Sequence, residues 1–355
     1  MTAPTLGSAR RIAWTAGGAF AAFYIFYTAA PLIFEGTTPD AGVRVAVVML
    51  VVVAVQPLVL VAGRWVRSRR TGALTALTGM GLGMAVMPFA GHWPGMMLLA
   101  VGFGVFVVTS TAWVKEAAPA AELGRALGVY GFGAAIGGAI GAPLGLFLAD
   151  RFGLPGIAIA GTTVALAALI PNGRDRSAPA SCPDRSQVEG AESATGSGDT
   201  SAGGYAVTAF GLLGHLLAVS IYASVLSGLT GSTQGHGAWL VVWTAFAIQT
   251  ALAAGRWVGG AIDGRWSPAR TGLSSLALLV VGAIGFTWST TPLLVLASGI
   301  VVGLASGACQ TAALTALMRR ARSTAGTNRA SAAWNICFDI GLSFGALAAA
   351  QTARR

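Results

Sequence analysis

Long apolar stretches recur from one end of this chain to the other, and each is about as long as a bilayer core is thick. They cover residues 12–34, 43–65, 72–90, 94–114, 125–149, 155–171, 205–229, 237–261, 270–289, 292–318 and 329–350. A helix of about 20 mostly apolar residues crosses a hydrocarbon core of about 30 Å. In lipid every backbone N–H and C=O must be satisfied within the protein, so isolated apolar segments can only be helices. Barrel strands would alternate polar and apolar residues over about 10 positions, and these runs do not. The chain therefore reads as an all-α polytopic membrane protein of eleven spans. Composition closes the soluble alternative. Of 355 residues, 55% are hydrophobic and 10% charged, with mean hydropathy +0.71. A soluble domain carries about 25% charged residues, so too few charges remain here to cover a water-facing surface.

The net charge of +10 does not mark a nucleic-acid binder. The basic residues sit in short clusters between the apolar segments, where loop arginines set membrane orientation. With the N-terminus inside, only Arg44, Arg151, Arg354 and Arg355 of the 22 basic residues face out, leaving 18 on the inner side. Removing or adding one internal span would destroy that asymmetry. The expected location is the cell membrane, multi-pass, with a cytoplasmic N-terminus. The short N-terminus has no small-residue cleavage site before the first span, so that span is read as retained. The three cysteines, Cys182, Cys309 and Cys337, match neither a metal motif nor a disulfide framework.

Residues 172–204 are polar, rich in small residues and nearly free of large apolar ones. Such a segment cannot bury a core and is expected to be a disordered cytoplasmic linker. It divides the chain into a six-span bundle, 1–171, and a five-span bundle, 205–355. The halves resemble each other. AGRWV closes the second span of each, at 62–66 and 254–258, and each copy is followed by basic residues and a TG before the third span. GRALGVYGFG from Gly124 and NRASAAWNIC from Asn328 precede the fifth span of each half. Duplicated multi-span halves are typical of secondary transporters, with substrate bound near the midplane between repeats. If both halves began with six spans, the twelfth is absent. The chain ends at AAAQTARR on the disfavoured side, which truncation after span 11 would explain.

Two motifs narrow the class. In span 5, GFGAAIGGAIGAPLG carries Gly133, Gly137, Gly141, Pro143 and Gly145. Glycines four apart form a flat stripe that lets backbones approach closely, and Pro143 frees a carbonyl and permits a bend. From the end of span 8 into the loop that follows, GRWVGGAIDGRWSPAR carries Gly255, Arg256, Gly259, Gly260, Asp263, Arg265 and Arg270. An aspartate there can accept from a helix N-terminus and pair with an arginine across the inner face. The first-half copy, AGRWVRSRR, lacks the aspartate. Together with FYIFYTAAPLIFE in span 1 and SAAWNICFDIGLSFGAL in span 11, these features resemble the efflux-type antiporters of the major facilitator superfamily, over nearly the whole chain from Arg11 to Ala350. The resemblance implies two pseudo-symmetric bundles around a central cavity, with alternating access by rocking. It also implies that spans 1, 4, 7 and 10 line the cavity while 3, 6, 9 and 12 are peripheral. A missing twelfth span would then remove support and not the binding site.

Few polar groups lie deep in the spans. Asp339 sits near the centre of span 11, where an ionised carboxylate costs roughly 2.5–3.5 kcal/mol even on the lenient insertion scale. It must face the cavity, pair, or hold a proton, and the last suits proton coupling. A packing role with Asn335, one turn earlier, stands beside that reading. His215 lies at similar depth in span 7, either as a partner or as a satisfied polar residue. Tyr24, Tyr27, Gln249 and Gln310 offer hydrogen bonds to a substrate or to one another, and Glu35 falls at a solvated span end. No P-loop, HExxH, haem motif or serine elbow is present. The only lysine is Lys115, in AWVKEAAP. The chain is accordingly expected not to be an enzyme and to need no cofactor or metal. The expectation is a monomeric, secondary active, proton-coupled exporter of a small organic molecule. An importer or facilitator, or a truncated non-transporting membrane protein, are the alternatives.

Overall fold

The computed structural model describes residues 6–34, 41–62, 68–89, 92–173, 202–229, 238–289 and 291–352. Most of the linker, the first-half basic loop at 63–67, Glu35 and Cys182 lie outside the described residues. The described residues are helices joined by short turns, with an isolated bridge between Asp263 and Trp266 and no strand among them. The helices are α1 (Leu6–Ile33), α2 (Ala41–Ala62), α3 (Arg69–Val86), α4 (Trp93–Ala117), α5 (Leu123–Ala167), the short α6 (Ile170–Gly173), α7 (Ala202–Ser227), α8 (Ala238–Ala261), α9 (Pro268–Thr287), α10 (Pro292–Arg320) and α11 (Thr324–Thr352). The stretches Leu6–Ala30, Trp93–Ala117, Ala120–Asn172, Thr208–Leu226, Pro268–Thr287 and Pro292–Arg320 are long and apolar enough to cross a membrane.

Local chemistry sets the helix starts. Ser68, Ser267 and Thr291 are N-caps whose hydroxyls accept from the backbone N–H of Thr71, Arg270 and Leu294. Pro268 and Pro292 follow two of these caps at the first helical position, where a missing N–H costs nothing. Spans 5 and 6 are expected to be separated at 150–154, and the helical segment Leu123–Ala167 breaks into two limbs within that gap. Its two limbs meet at Gly153, with φ 58° and ψ −152°. Only glycine adopts that conformation readily. Pro155 then opens the second limb, so a single residue makes the break.

The chain forms two compact units. One comprises Met1–Ala118, Gly133–Gly196 and Ser323–Ala332, the other Pro119–Phe132, Ser197–Arg322 and Ala333–Arg355. Each unit therefore takes a short segment of α5 or α11 from the other half of the sequence. In the first, α3 and α4 approach so closely that a Cβ on Gly83 would lie 2.7 Å from the carbonyl oxygen of Gly95. In the second, α8 and α10 meet in the same way. Gly259 lies against Ala308, and Gly303 and Gly307 lie against the backbone of Ile248 and Leu252. Small residues supply such contact because, in lipid, helices associate through dispersion and not by expelling water.

Candidate transport site

Within the second unit the polar side chains gather around Arg256. The sequence places this arginine in a basic loop motif that sets orientation. In the structure it lies inside α8, only 5% exposed. Its Nη2 and Nε donate to Gln310 Oε1 of α10 at 2.6 and 3.2 Å, and Nη1 donates to the Gly131 carbonyl at 3.2 Å. Gln310, fully buried, passes its amide on to Ser306 Oγ at 2.9 Å. The guanidinium also stands 5.9 Å from the centre of the Phe338 ring of α11, within cation–π range. A charge at this depth persists only where several oriented acceptors replace its hydration shell.

Phe338 belongs to a stack. Its ring parallels Trp334, and the imidazole of His215 lies flat on Trp334 at 4.7 Å between centroids. His215 Nε2 donates to the Trp334 carbonyl at 3.1 Å. A carbonyl only accepts, so Nε2 carries the hydrogen and Nδ1 is the acceptor of the neutral ring. That Nδ1 is buried with no hydrogen-bond partner among the described residues. Asp339 follows Phe338 and is half-buried, and Asn335, one turn earlier, is buried. The structure thus gathers Arg256, Gln310 and His215 with Trp334 and Phe338 of α11, and Asn335 and Asp339 lie on the same helix. Gln249 is tied elsewhere, accepting from the Tyr222 hydroxyl.

Tyr24 and Tyr27 belong to the first unit. There Phe23 stacks on Phe103 at 3.9 Å between centroids, Tyr24 and Tyr27 pack edge-on at 5.9 Å, and Tyr24 lies across Gly138. The span 5 glycines have a clear packing partner. Gly133, Gly137, Gly141 and Gly145 lie in register against Ala13, Gly17, Ala21 and Ile25 of α1, so close that a Cβ on Gly141 would be 2.5 Å from the Ala21 carbonyl oxygen. Pro143 lies within this contact, inside α5.

The basic-loop aspartate has a specific seat. Asp263 accepts from Arg319 Nη2 at 2.7 Å, and its carboxylate lies directly against Gly124 in the first turn of α5. There the partial positive charge of a helix N-terminus also favours it. Gly259 and Gly260 keep α8 thin beside it, and Gly260 faces Gly128. Gly255 meets the Leu304 backbone, whereas Arg265 and Arg270 are exposed. Sequence reasoning missed three residues with specific contacts, one in the Arg256 group (Trp334) and two outside it. Tyr222 and Trp334 look like ordinary apolar-span aromatics. Arg44, assigned a purely topological role, is buried and stands over Phe34 and Trp93 at 4.7 and 5.2 Å.

The Major Facilitator Superfamily profile matches residues 12–346. No curated protein sequence matches the chain. Among solved structures, the chain is similar to a Major Facilitator Superfamily transporter, FucP, in its outward conformation. The identity is 12%, with 98% of this chain and 90% of that chain covered and a TM-score of 0.70. A structure of the Escherichia coli fucose:proton symporter FucP gives 12%, 98%, 90% and 0.64. The human organic anion transporter MFSD10 (TETRAN) gives 16%, 98%, 92% and 0.67. At these identities the likeness speaks for the fold, and with the profile match it leaves one assignment: this chain belongs to the major facilitator superfamily, as a multi-pass membrane protein of the transporter fold.

Proposed function

We propose that the chain is a secondary active transporter that exports a small organic molecule in exchange for protons, by alternating access. It would act as a monomer in the cell membrane, with its N-terminus in the cytoplasm and six spans in one bundle and five in the other. The observation that carries the reading is the grouping of Arg256, Gln310 and His215 with Trp334 and Phe338 of α11, the helix that also bears Asn335 and Asp339. A carboxyl at the depth of a span centre holds a proton at little cost and an ionic charge at several kcal/mol. Moving between those states with the surroundings is the elementary step of proton coupling. The neighbouring aromatic faces and the buried acceptor Nδ1 of His215 suit an amphiphilic substrate with a donor group.

Everted membrane vesicles test it. Substrate should accumulate when the interior is acid and stop accumulating when the gradient is collapsed. Asp339→Asn, neutral and isosteric, should bind substrate yet lose acceleration by the gradient; unchanged gradient-driven transport by that variant removes the carboxyl from the mechanism. The second reading is import by symport, favoured by the likeness to a fucose:proton symporter. Uptake by whole cells driven by an inward proton gradient would decide for it.

A further inference from the structure

Gln249 stands apart from the Arg256 group, at the midpoint of α8 (Ala238–Ala261). A polar side chain left to hydrocarbon at that depth is costly. The Tyr222 hydroxyl of α7 donates to Gln249 Oε1, and among the described residues the Gln249 side chain makes no other hydrogen bond. An amide accepts at its oxygen and donates at its NH2. With Oε1 held by Tyr222, the NH2 end is the one left to meet whatever lies beside α8. Tyr222 is 4% exposed and Gln249 is half-buried, so the hydroxyl is enclosed and the amide is not.

The face of the helix decides what the amide meets. Trp243, Phe246 and Trp257 are 61, 51 and 53% exposed, and Thr250 is exposed as well. Their spacing of three, four and seven residues marks one stripe, the side that α8 turns to lipid. At 3.6 residues per turn, Gln249 lies about 90° round from that stripe. It precedes Arg256 by seven residues, two turns, so both project from one face. Further along that face the helix is covered, with Gly260 against Gly128 and Arg256 bonded to the Gly131 carbonyl. At Gln249 the same face is half open. An unpaired NH2 in mid-span, turned away from lipid, belongs against water or a solute.

We propose that Gln249 is a specificity-determining residue of transport. Its NH2 donates to a carbonyl or hydroxyl oxygen of the carried molecule, and Tyr222 is the positioning residue that keeps the donating end outward. The pair selects an oxygen-bearing substrate and needs no charge on it, because an amide carries none. The proposal rests on the transporter reading and not on the direction of transport or its coupling.

The test uses the full chain in lipid nanodiscs, with Cys182, Cys309 and Cys337 replaced by alanine and a membrane-impermeant methanethiosulfonate as reagent. Gln249→Cys should react about tenfold faster than Phe246→Cys or Thr250→Cys, because the reactive thiolate forms in water and not in hydrocarbon. Equal rates would put Gln249 against lipid and overturn the proposal. Ala245→Cys, one turn earlier and with Gln249 intact, then reports on ligand. Acetophenone should slow its labelling, whereas ethylbenzene, which lacks the oxygen, should not. Gln249→Leu and, separately, Tyr222→Phe should each weaken the protection by acetophenone about fivefold, as loss of one neutral hydrogen bond implies. The labelling rate without probe is the control, since general loss of structure would move it and loss of the donor would not. Protection by both probes alike, by neither, or undiminished in Gln249→Leu overturns the proposal, and undiminished protection in Tyr222→Phe overturns the positioning role. No gradient enters these readings. A chain whose gradient-driven export fails while acetophenone still protects loses the coupling reading and keeps this one.

Discussion

Arg256 brings a permanent charge into the packed interior of the second unit, and neutral acceptors stabilise it there. Gln310 Oε1 takes two of its hydrogens and the Gly131 carbonyl a third. Hydrogen bonds to a charged group contribute about 1.5–3 kcal/mol each, because deleting the acceptor leaves a buried donor unsatisfied. Gln310→Leu keeps the size and removes the acceptor. It should lower the unfolding free energy by about 2–4 kcal/mol and depress the melting temperature in detergent. Adding Arg256→Met should restore most of the loss, since a buried ionic group and a well-packed apolar one differ little in net stability. An unchanged melting temperature for Gln310→Leu would mean that water or lipid solvates the guanidinium. Sequence reasoning singled out both residues but not their pairing. They lie 54 positions apart, and their pairing depends on how α8 and α10 cross at Gly303 and Gly307. Asp339 was legible alone, because a carboxyl in the middle of an apolar run is conspicuous whatever surrounds it.

At the scale of the element, the glycines of α5 decide how near α1 comes. In an isolated helix Gly→Ala is favourable by about 1 kcal/mol. Gly137→Ala should have the opposite sign here, because the added methyl would overlap the Gly17 carbonyl with backbone on both sides. Overpacking of this kind typically costs about 1–3 kcal/mol. Gly211→Ala in α7 meets open space and should keep the favourable sign. Melting temperatures of the two variants in one detergent check the pair: Gly137→Ala falls, Gly211→Ala holds or rises. Equal shifts would detach the α5 stripe from close packing. The glycine spacing was readable from the sequence, but the partner helix was not, since any small-residue face would have met it equally well. The caps that precede a proline at Ser267 and Thr291 are signals for two helix starts that the hydropathy reading did not use. The break at Gly153 was legible as a gap between two apolar runs, but not that one residue makes it.

For the whole molecule, hydropathy and charge carry most of what the sequence reveals, because the bilayer acts on every span alike. Apolar length marks the candidate spans, and the loop arginines predict an orientation for them. The division into two compact units was less accessible, because short segments of α5 and α11 cross over to the unit built mainly from the other half. Such exchange depends on long-range packing that leaves no periodic mark. Orientation has a native reporter. Of the three cysteines, Cys309 is buried and Cys337 half-buried in apolar helices, and both are free thiols. Cys182 belongs to the polar segment between the halves. With 18 of 22 basic residues on one side, that segment is expected to face the cytoplasm. A membrane-impermeant maleimide should therefore label the chain in everted vesicles and leave it unlabelled in right-side-out ones. Cys182→Ser should abolish the signal, which assigns it to this position. Labelling confined to right-side-out vesicles would invert the topology, and with it the side on which the Asp263–Arg319 pair faces water.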